Sequence, residues 1–168
     1  MILVGTPVQS QTFSQNTKMH QPSDHDRTFL QVAYEQALQS FAAGGIPIGA
    51  ALVHNGKLLG AGHNQRIQLG NPVLHGEMDA LQNAGRLTAR IYRQSTMYTT
   101  LSPCAMCAGA MLLYGIPRVV IGEHRSFMGE EGLLRSRGVE VVVLDDAECY
   151  ALMQQFITAS PGVWNEDI

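Results

Sequence analysis

The stretch Thr100-Leu-Ser-Pro-Cys104-Ala-Met-Cys107 lies at the centre of the fold that this sequence predicts. Cys104 and Cys107 are three residues apart, so both would lie on one face of a helix. Ser102 favours an N-cap and Pro103 favours the first helical position, so we predict that a helix begins here. The unpaired N–H groups and the dipole at a helix start favour thiolates. The stretch therefore predicts a pair of metal-binding cysteines at a helix N-terminus.

A second short motif, His75-Gly76-Glu77, supplies the other groups that a zinc site needs. Catalytic zinc takes three protein ligands and leaves one position for water. We therefore predict one Zn²⁺ per chain, bound by His75, Cys104 and Cys107. Glu77 is predicted to be the catalytic residue, which takes the proton of that water and passes it on. The combination of His-x-Glu with Pro-Cys-x-x-Cys is typical of zinc nucleobase deaminases.

Composition and charge narrow the class of protein. The chain has 168 residues, 45% of them hydrophobic, which is typical of one domain with a sizeable core. Its formal net charge of −3 provides no basic surface for nucleic acid. No apolar run is long enough to cross a membrane, and two of the three cysteines have metal-binding spacing, which favours a reducing compartment. We therefore predict a cytoplasmic protein with neither a membrane nor a nucleic-acid partner.

Hydrophobic periodicity and turn residues predict strands that alternate with helices after an opening hairpin. Helices are predicted over 24–43, 75–86, 103–114, 132–137 and 145–159, and strands over 48–54, 57–63, 92–100, 118–123 and 139–144. Residues 67–74 are predicted to be a loop. This order indicates an α/β protein, a three-layer α/β/α sandwich with a mixed five-stranded sheet.

The chain divides into two regions by composition. Residues 1–23 are rich in Gln, Ser and Thr, and we predict that they form a flexible N-terminal extension. Residues 24–168 are predicted to form a single zinc-dependent deaminase domain, which includes the C-terminal tail.

Longer stretches of this domain resemble the cytidine deaminase-like superfamily, and within it the fungal-type cytosine deaminases that act on the free base. The resemblance runs from about residue 24 to the C-terminus. It is carried by Gly44-Gly-Ile-Pro-Ile-Gly49, Gly62-His-Asn64, Leu74-His-Gly-Glu77, Tyr98-Thr-Thr-Leu-Ser-Pro-Cys104, Tyr114-Gly-Ile-Pro117, Gly122-Glu123, and Trp164 with Glu166-Asp167. It implies a cytidine deaminase-like fold, a homodimer with one zinc per subunit, and conversion of cytosine to uracil and ammonia in pyrimidine salvage.

The resemblance also implies which residues contact the nucleobase substrate. These are Ile48, Asn64, Gly76, Ser102, Phe127, Trp164 and Asp167. Asn64 would hold the pyrimidine edge, because a carboxamide can both donate and accept hydrogen bonds. Phe127 and Trp164 would enclose the ring, and the C-terminal tail would act as a lid. Asn165 departs from the family pattern, which has a second aromatic residue after the tryptophan.

Three other functions stay open on the sequence alone. A tRNA adenosine deaminase shares the Pro-Cys-x-x-Cys motif, although this chain has an acidic tail and only Lys18 and Lys57 as lysines. A deaminase of another free base, such as guanine or a modified pyrimidine, would use the same zinc chemistry. A structural zinc protein is the third, and it would have no need of the unligated carboxylate of Glu77.

Overall fold

The computed structural model describes residues 22–166, and the structural findings below concern these residues. Its strands are β1 (Gly49–His54), β2 (Lys57–His63), β3 (Ser95–Leu101), β4 (Arg118–Glu123) and β5 (Glu140–Val143). Its helices are α1 (Asp24–Ala42), α2 (Arg66–Leu69), α3 (Gly76–Ala84), α4 (Ala89–Tyr92), α5 (Ala105–Tyr114), α6 (Glu131–Ser136), α7 (Ala147–Ala159) and α8 (Pro161–Asn165). Most of the predicted extension and the predicted site residue Asp167 lie outside the described range.

The five strands form one mixed sheet in the order β2-β1-β3-β4-β5. The β1 strand pairs antiparallel with β2 and β3, whereas β3, β4 and β5 are parallel. Asn55 and Gly56 connect β1 to β2 with positive φ angles of 49° and 72°, as a two-residue hairpin turn requires. The predicted mixed five-stranded sheet is therefore confirmed.

Helices cover both faces of this sheet. On one face, α3 and α5 pack against Leu52, Met97 and Val119. On the other face, α1 and α7 pack against Val53, Tyr98 and other strand residues. Met97 and Tyr98 point to opposite faces because side chains alternate along a strand. The predicted α/β/α layering is confirmed.

Glycines allow helix α3 to lie very close to strand β2, which brings the start of α3 to the edge of the sheet. A Cβ atom on Gly60 would come within 2.4 Å of the backbone nitrogen of Ala84, and one on Gly62 within 2.5 Å of that of Ala80. Any side chain at either position would therefore push the helix away from the strand. This contact fixes where the His75-Gly76-Glu77 motif lies.

A buried ion pair fixes the start of helix α1 on the opposite face of the sheet. Asp26 is 1% exposed, and its two carboxylate oxygens accept hydrogen bonds from Arg118 at 2.6 and 3.1 Å. Tyr98 and Ser23 donate to the same carboxylate. Burial alone would raise the pKa of Asp26, but the hydrogen bonds from Arg118 and Ser23 hold it well below its usual value.

Several predicted boundaries were wrong, and the most informative error concerns Ser102. Helix α5 begins at Ala105 with Cys104 as its N-cap residue, so Ser102 and Pro103 lie before the helix. The Ser102 hydroxyl does not cap the helix because it donates to Glu131 and accepts from the backbone N–H of Gly129. A local capping preference was overridden by partners more than 25 residues away in sequence.

The other boundary differences are smaller. The predicted loop over 67–74 contains part of the short helix α2, and the predicted strand over 92–100 begins only at Ser95 because helix α4 precedes it. Helix α7 begins at Ala147 rather than Asp145, because the Asp146 side chain accepts from the backbone N–H groups of Glu148 and Cys149 and so caps the helix. Within residues 22–166, none of the helices has the length and apolarity needed to cross a bilayer.

Candidate active site

Three side chains with metal-binding atoms converge where helices α3 and α5 begin. His75 is the N-cap residue of α3, Cys104 is the N-cap residue of α5, and Cys107 lies in the first turn of α5. Their ligand atoms all lie within 4.8 Å of one another, and the Nδ1 atom of His75 is 3.5 Å from the Sγ atom of Cys104. One imidazole and two thiols form a donor set that zinc prefers. The residues present therefore fit a zinc ion.

The two cysteines have opposite tendencies to ionise. A hydrogen bond from the Cys107 thiol and a second from His75 lower the pKa of Cys104 to about 3, although burial opposes this. The same pairing with Cys104, together with burial, raises the pKa of Cys107 above its usual value. The lowered pKa of Cys104 favours its thiolate, the form that binds a metal.

Glu77 lies in the first turn of α3 and is 3% exposed. Its Oε1 atom accepts a hydrogen bond of 3.1 Å from the hydroxyl of Thr99 on strand β3. Burial raises the pKa of Glu77, and the negative charge on Cys104 raises it further. A carboxyl group with a raised pKa accepts a proton more readily than an exposed one does, as a group that carries protons requires.

Gly76, between His75 and Glu77, allows α3 to begin directly against the sheet. A Cβ atom at this position would lie 2.9 Å from the carbonyl oxygen of Ile48. A side chain there would therefore displace the two neighbouring functional residues. Gly76 was predicted to contact the substrate, and the structure adds this packing requirement.

A cavity opens directly above the predicted metal ligands. It is small, with a volume of about 60 Å³ open to water-sized molecules. It is lined by Ile46, Ile48, Asn64, His75, Glu77, Leu101, Ser102, Cys104, Phe127 and Trp164. The structure thus brings five of the predicted substrate-binding residues, Ile48, Asn64, Ser102, Phe127 and Trp164, to the same cavity as His75 and Cys104.

Asn64 is held rigidly at the end of strand β2. Its backbone N–H donates to the carbonyl oxygen of Ile48, and its own carbonyl oxygen accepts from the hydroxyl of Ser40 at 2.7 Å. Its side-chain Oδ1 atom accepts from the backbone N–H of Arg66 at 3.1 Å, so this residue also stabilises a turn. Asn64 is 2% exposed, and it faces the cavity from the side of β2.

Sequence reasoning missed several residues around the cavity. Ile46 and Leu101 line it directly, and both lie within the stretches that carried the family resemblance. Thr99 and Glu131 contact Glu77 and Ser102 through hydrogen bonds that join distant parts of the chain. No local pattern in the sequence indicates those two pairings.

Comparison with known proteins assigns the chain to a family. Residues 23–123 match the family described as the cytidine and deoxycytidylate deaminase zinc-binding region, and the chain belongs to this family. The matched region contains His75, Cys104 and Cys107, the cluster that the structure brings together. The predictions of a zinc site and of a cytidine deaminase-like fold are confirmed.

The relatives of this chain differ in sequence identity and in the share of each chain that is covered. It is 56% identical over 144 residues to the cytosine deaminase of Candida albicans, covering 85% of this chain and 96% of that protein. It is 42% identical over 103 residues to the tRNA-specific adenosine deaminase of Haemophilus influenzae, covering 60% and 59% of the two chains. The solved guanine deaminase of Nitrosomonas europaea has a TM-score of 0.65 at 24% identity, covering 81% and 85%, and shows the shared fold.

Proposed function

We propose that this protein is a zinc-dependent deaminase that hydrolyses free cytosine to uracil and ammonia. The observation that carries the proposal is that Glu77 and Asn64 line one cavity together with His75 and Cys104, two of the three clustered metal-binding side chains. The similarity to a cytosine deaminase over 85% of the chain supports the same substrate.

Glu77 carries out the proton transfers of this reaction. When bound, zinc supplies a Lewis acid that lowers the pKa of water near the substrate. Glu77 takes a proton from that water and donates it to the ring nitrogen next to the carbon that bears the amine. The water oxygen bonds to that carbon, Glu77 carries the second water proton to the amine, and the C–N bond breaks, so that cytosine and water become uracil and ammonia. The raised pKa of Glu77 suits both halves of this cycle.

The rest of the cavity orients the base. Asn64 offers a carboxamide to the pyrimidine edge, and Ser102 and Gly76 offer backbone groups beside the reacting carbon. In this proposal, Asp167 adds a polar contact from the tail. Phe127 and Trp164 provide aromatic surface for the ring, and Ile48 forms part of the wall.

A free base fits this cavity better than a nucleic-acid strand does. Trp164 on helix α8 is only 9% exposed, and it packs with Leu101 and Phe156 across one side of the cavity. A polynucleotide would need an open, basic path to the metal, whereas the tail that carries Trp164 is acidic. We propose that this C-terminal segment is a lid, whose movement admits the base and releases the product.

We further propose that the protein is a cytoplasmic homodimer that serves pyrimidine salvage. Large apolar side chains are exposed near the groove between α3, α4 and α5, and Val73, Leu113 and Tyr114 among them are 52%, 79% and 39% exposed. A second copy of the chain would bury them.

Sedimentation analysis tests the dimer. Leu113→Glu should convert the dimer to a monomer, whereas Leu58→Glu, an equally large change at a 47% exposed position on β2, should leave it dimeric. A wild-type chain that sediments as a monomer at micromolar concentration would contradict the proposal.

The substrate is tested by a panel of amines offered to purified protein of known zinc content. Free cytosine, cytidine, guanine, adenine and an adenosine-containing tRNA are incubated separately, and ammonia and product are followed. The proposal expects rapid turnover of cytosine only. Turnover of guanine without cytosine would keep the zinc chemistry and refute the assigned base, and turnover of tRNA would refute the proposed lid.

A further inference from the structure

Asp79 is a buried carboxylate that neither the zinc chemistry nor the substrate contacts use. It lies one helical turn after His75 on α3, and it is 2% exposed. Its backbone N–H donates to the carbonyl oxygen of His75 at 2.9 Å, so it is fixed to the helix that also carries Glu77. The partial positive charge at the start of a helix favours a carboxylate here.

The side chain of Asp79 reaches from α3 to the end of strand β2. Its Oδ2 atom accepts a hydrogen bond of 2.9 Å from the backbone N–H of His63. The same atom accepts a second hydrogen bond, of 3.0 Å, from the Nε2 atom of Gln65. One carboxylate oxygen therefore holds the residue before Asn64 and the residue after it.

Gly62 makes this contact possible. A Cβ atom at position 62 would lie 2.6 Å from the Oδ2 atom of Asp79. The chain therefore leaves space for the carboxylate directly beside the residues that it holds. This is a close-packed arrangement rather than a chance surface contact.

We infer that Asp79 is a positioning residue, which fixes the Asn64 side chain relative to Glu77 and His75 at the start of helix α3. Asn64 comes from a strand and Glu77 from a helix, so their separation depends on what joins the two elements. Asp79 joins them at the two residues on either side of Asn64. The inference rests on the proposed function, because it assigns to Asn64 the role of holding the base.

The test compares Asp79→Ala with Asp146→Ala. Asp146 is a suitable control because its carboxylate also accepts two backbone N–H hydrogen bonds, at the start of α7 and outside the cavity. For each variant, kcat and KM for cytosine, zinc per chain, melting temperature and hydrogen exchange of the His63 amide are measured.

Asp79→Ala should raise KM about tenfold, because loss of a charged hydrogen-bond acceptor leaves Asn64 misplaced, while kcat falls by no more than about threefold. It should retain one zinc, and the His63 amide should exchange at least about tenfold faster. Asp79→Asn keeps an oxygen acceptor and should restore most of the lost affinity. Asp146→Ala should lower the melting temperature and leave KM unchanged.

If Asp79→Ala does not fold, Gln65→Ala removes one of the two hydrogen bonds and should raise KM about threefold. Any of three results would overturn the inference. These are an unchanged KM in the variant that folds, an unchanged exchange rate of the His63 amide in Asp79→Ala, and a loss of zinc together with a raised KM. If the wild-type protein does not deaminate cytosine, the proposed function fails. The exchange of the His63 amide then still decides whether Asp79 holds the end of β2.

Discussion

A buried carboxylate lies beside each face of strand β3, and the pKa values of the two carboxylates are shifted in opposite directions. Asp26 is held by Arg118 and Tyr98 on the face covered by α1, and its pKa is lowered. Glu77 accepts from the Thr99 hydroxyl on the face covered by α3, and its pKa is raised. A facing guanidinium keeps a buried carboxylate charged and makes it a structural anchor. Without such a partner, a carboxylate can exchange protons.

The largest expected effect comes from a substitution on the face of the sheet that α3 covers. Glu77→Gln should lower kcat for cytosine by about a thousandfold, because the amide cannot take and deliver protons. Zinc content should stay at one per chain, since the proposal places Glu77 off the metal. Steady-state kinetics and metal analysis of the same preparation measure both effects.

Glu35→Gln provides the control, because this residue lies on the exposed face of α1. It should retain full activity. A Glu77→Gln protein that loses its zinc, or that keeps more than about a tenth of the activity, would show that Glu77 is not the proton carrier.

The next largest effect comes from a substitution on the face of the sheet that α1 covers. Arg118→Met should lower the free energy of unfolding at pH 7 by about 3 kcal/mol, because it leaves the Asp26 carboxylate buried without its cation. The kcat of the folded fraction should change little. Chemical denaturation measures the first quantity, and Arg125→Met, which removes the exposed ion pair with Asp145, should cost less than about 1 kcal/mol.

The same ion pair predicts how stability depends on pH. The folded pKa of Asp26 lies below its ordinary value of 3.8, so its contribution is fully present above about pH 5 and is lost as the pH falls through that ordinary value and below it. Arg118→Met should therefore flatten the loss of stability below about pH 4. A variant that loses stability in acid as steeply as the wild type would contradict this assignment.

The smallest expected effect comes from comparing two neighbouring threonines, whose hydroxyl groups lie on opposite faces of β3. The Thr99 hydroxyl lies 3.1 Å from the Oε1 atom of Glu77 and 3.0 Å from the carbonyl oxygen of Leu101. Thr99→Val should lower kcat about fivefold, because Glu77 loses a hydrogen bond that orients it. The Thr100 hydroxyl instead accepts from the backbone N–H of Gly49, so Thr100→Val should reduce stability and leave kcat unchanged. Equal effects of the two variants on kcat would contradict the distinction between the faces.

The features that the sequence predicts well are those that depend on local pattern. The zinc ligands follow from two short motifs, and the five strands follow from apolar runs and turn residues. The prediction that Ser102 caps helix α5 was wrong, because Glu131 and Gly129, from another part of the chain, form hydrogen bonds with the Ser102 hydroxyl.

The pairings of Asp79 with His63, and of Thr99 with Glu77, were likewise not predicted. They arise only when the helix and strand are packed together, and a single sequence holds no local signal for such contacts. Asp167, predicted from resemblance alone, stays a prediction because it lies outside the described residues.

Our main proposal is that cytosine is deaminated in the cavity that His75, Glu77 and Cys104 line, next to Cys107. It is tested most directly by measuring the initial rate of uracil formation while zinc is added back to metal-free protein. We expect a negligible rate without zinc and a linear rise that stops at one zinc per chain. A full rate in metal-free protein, or no uracil from the fully loaded protein, would contradict it.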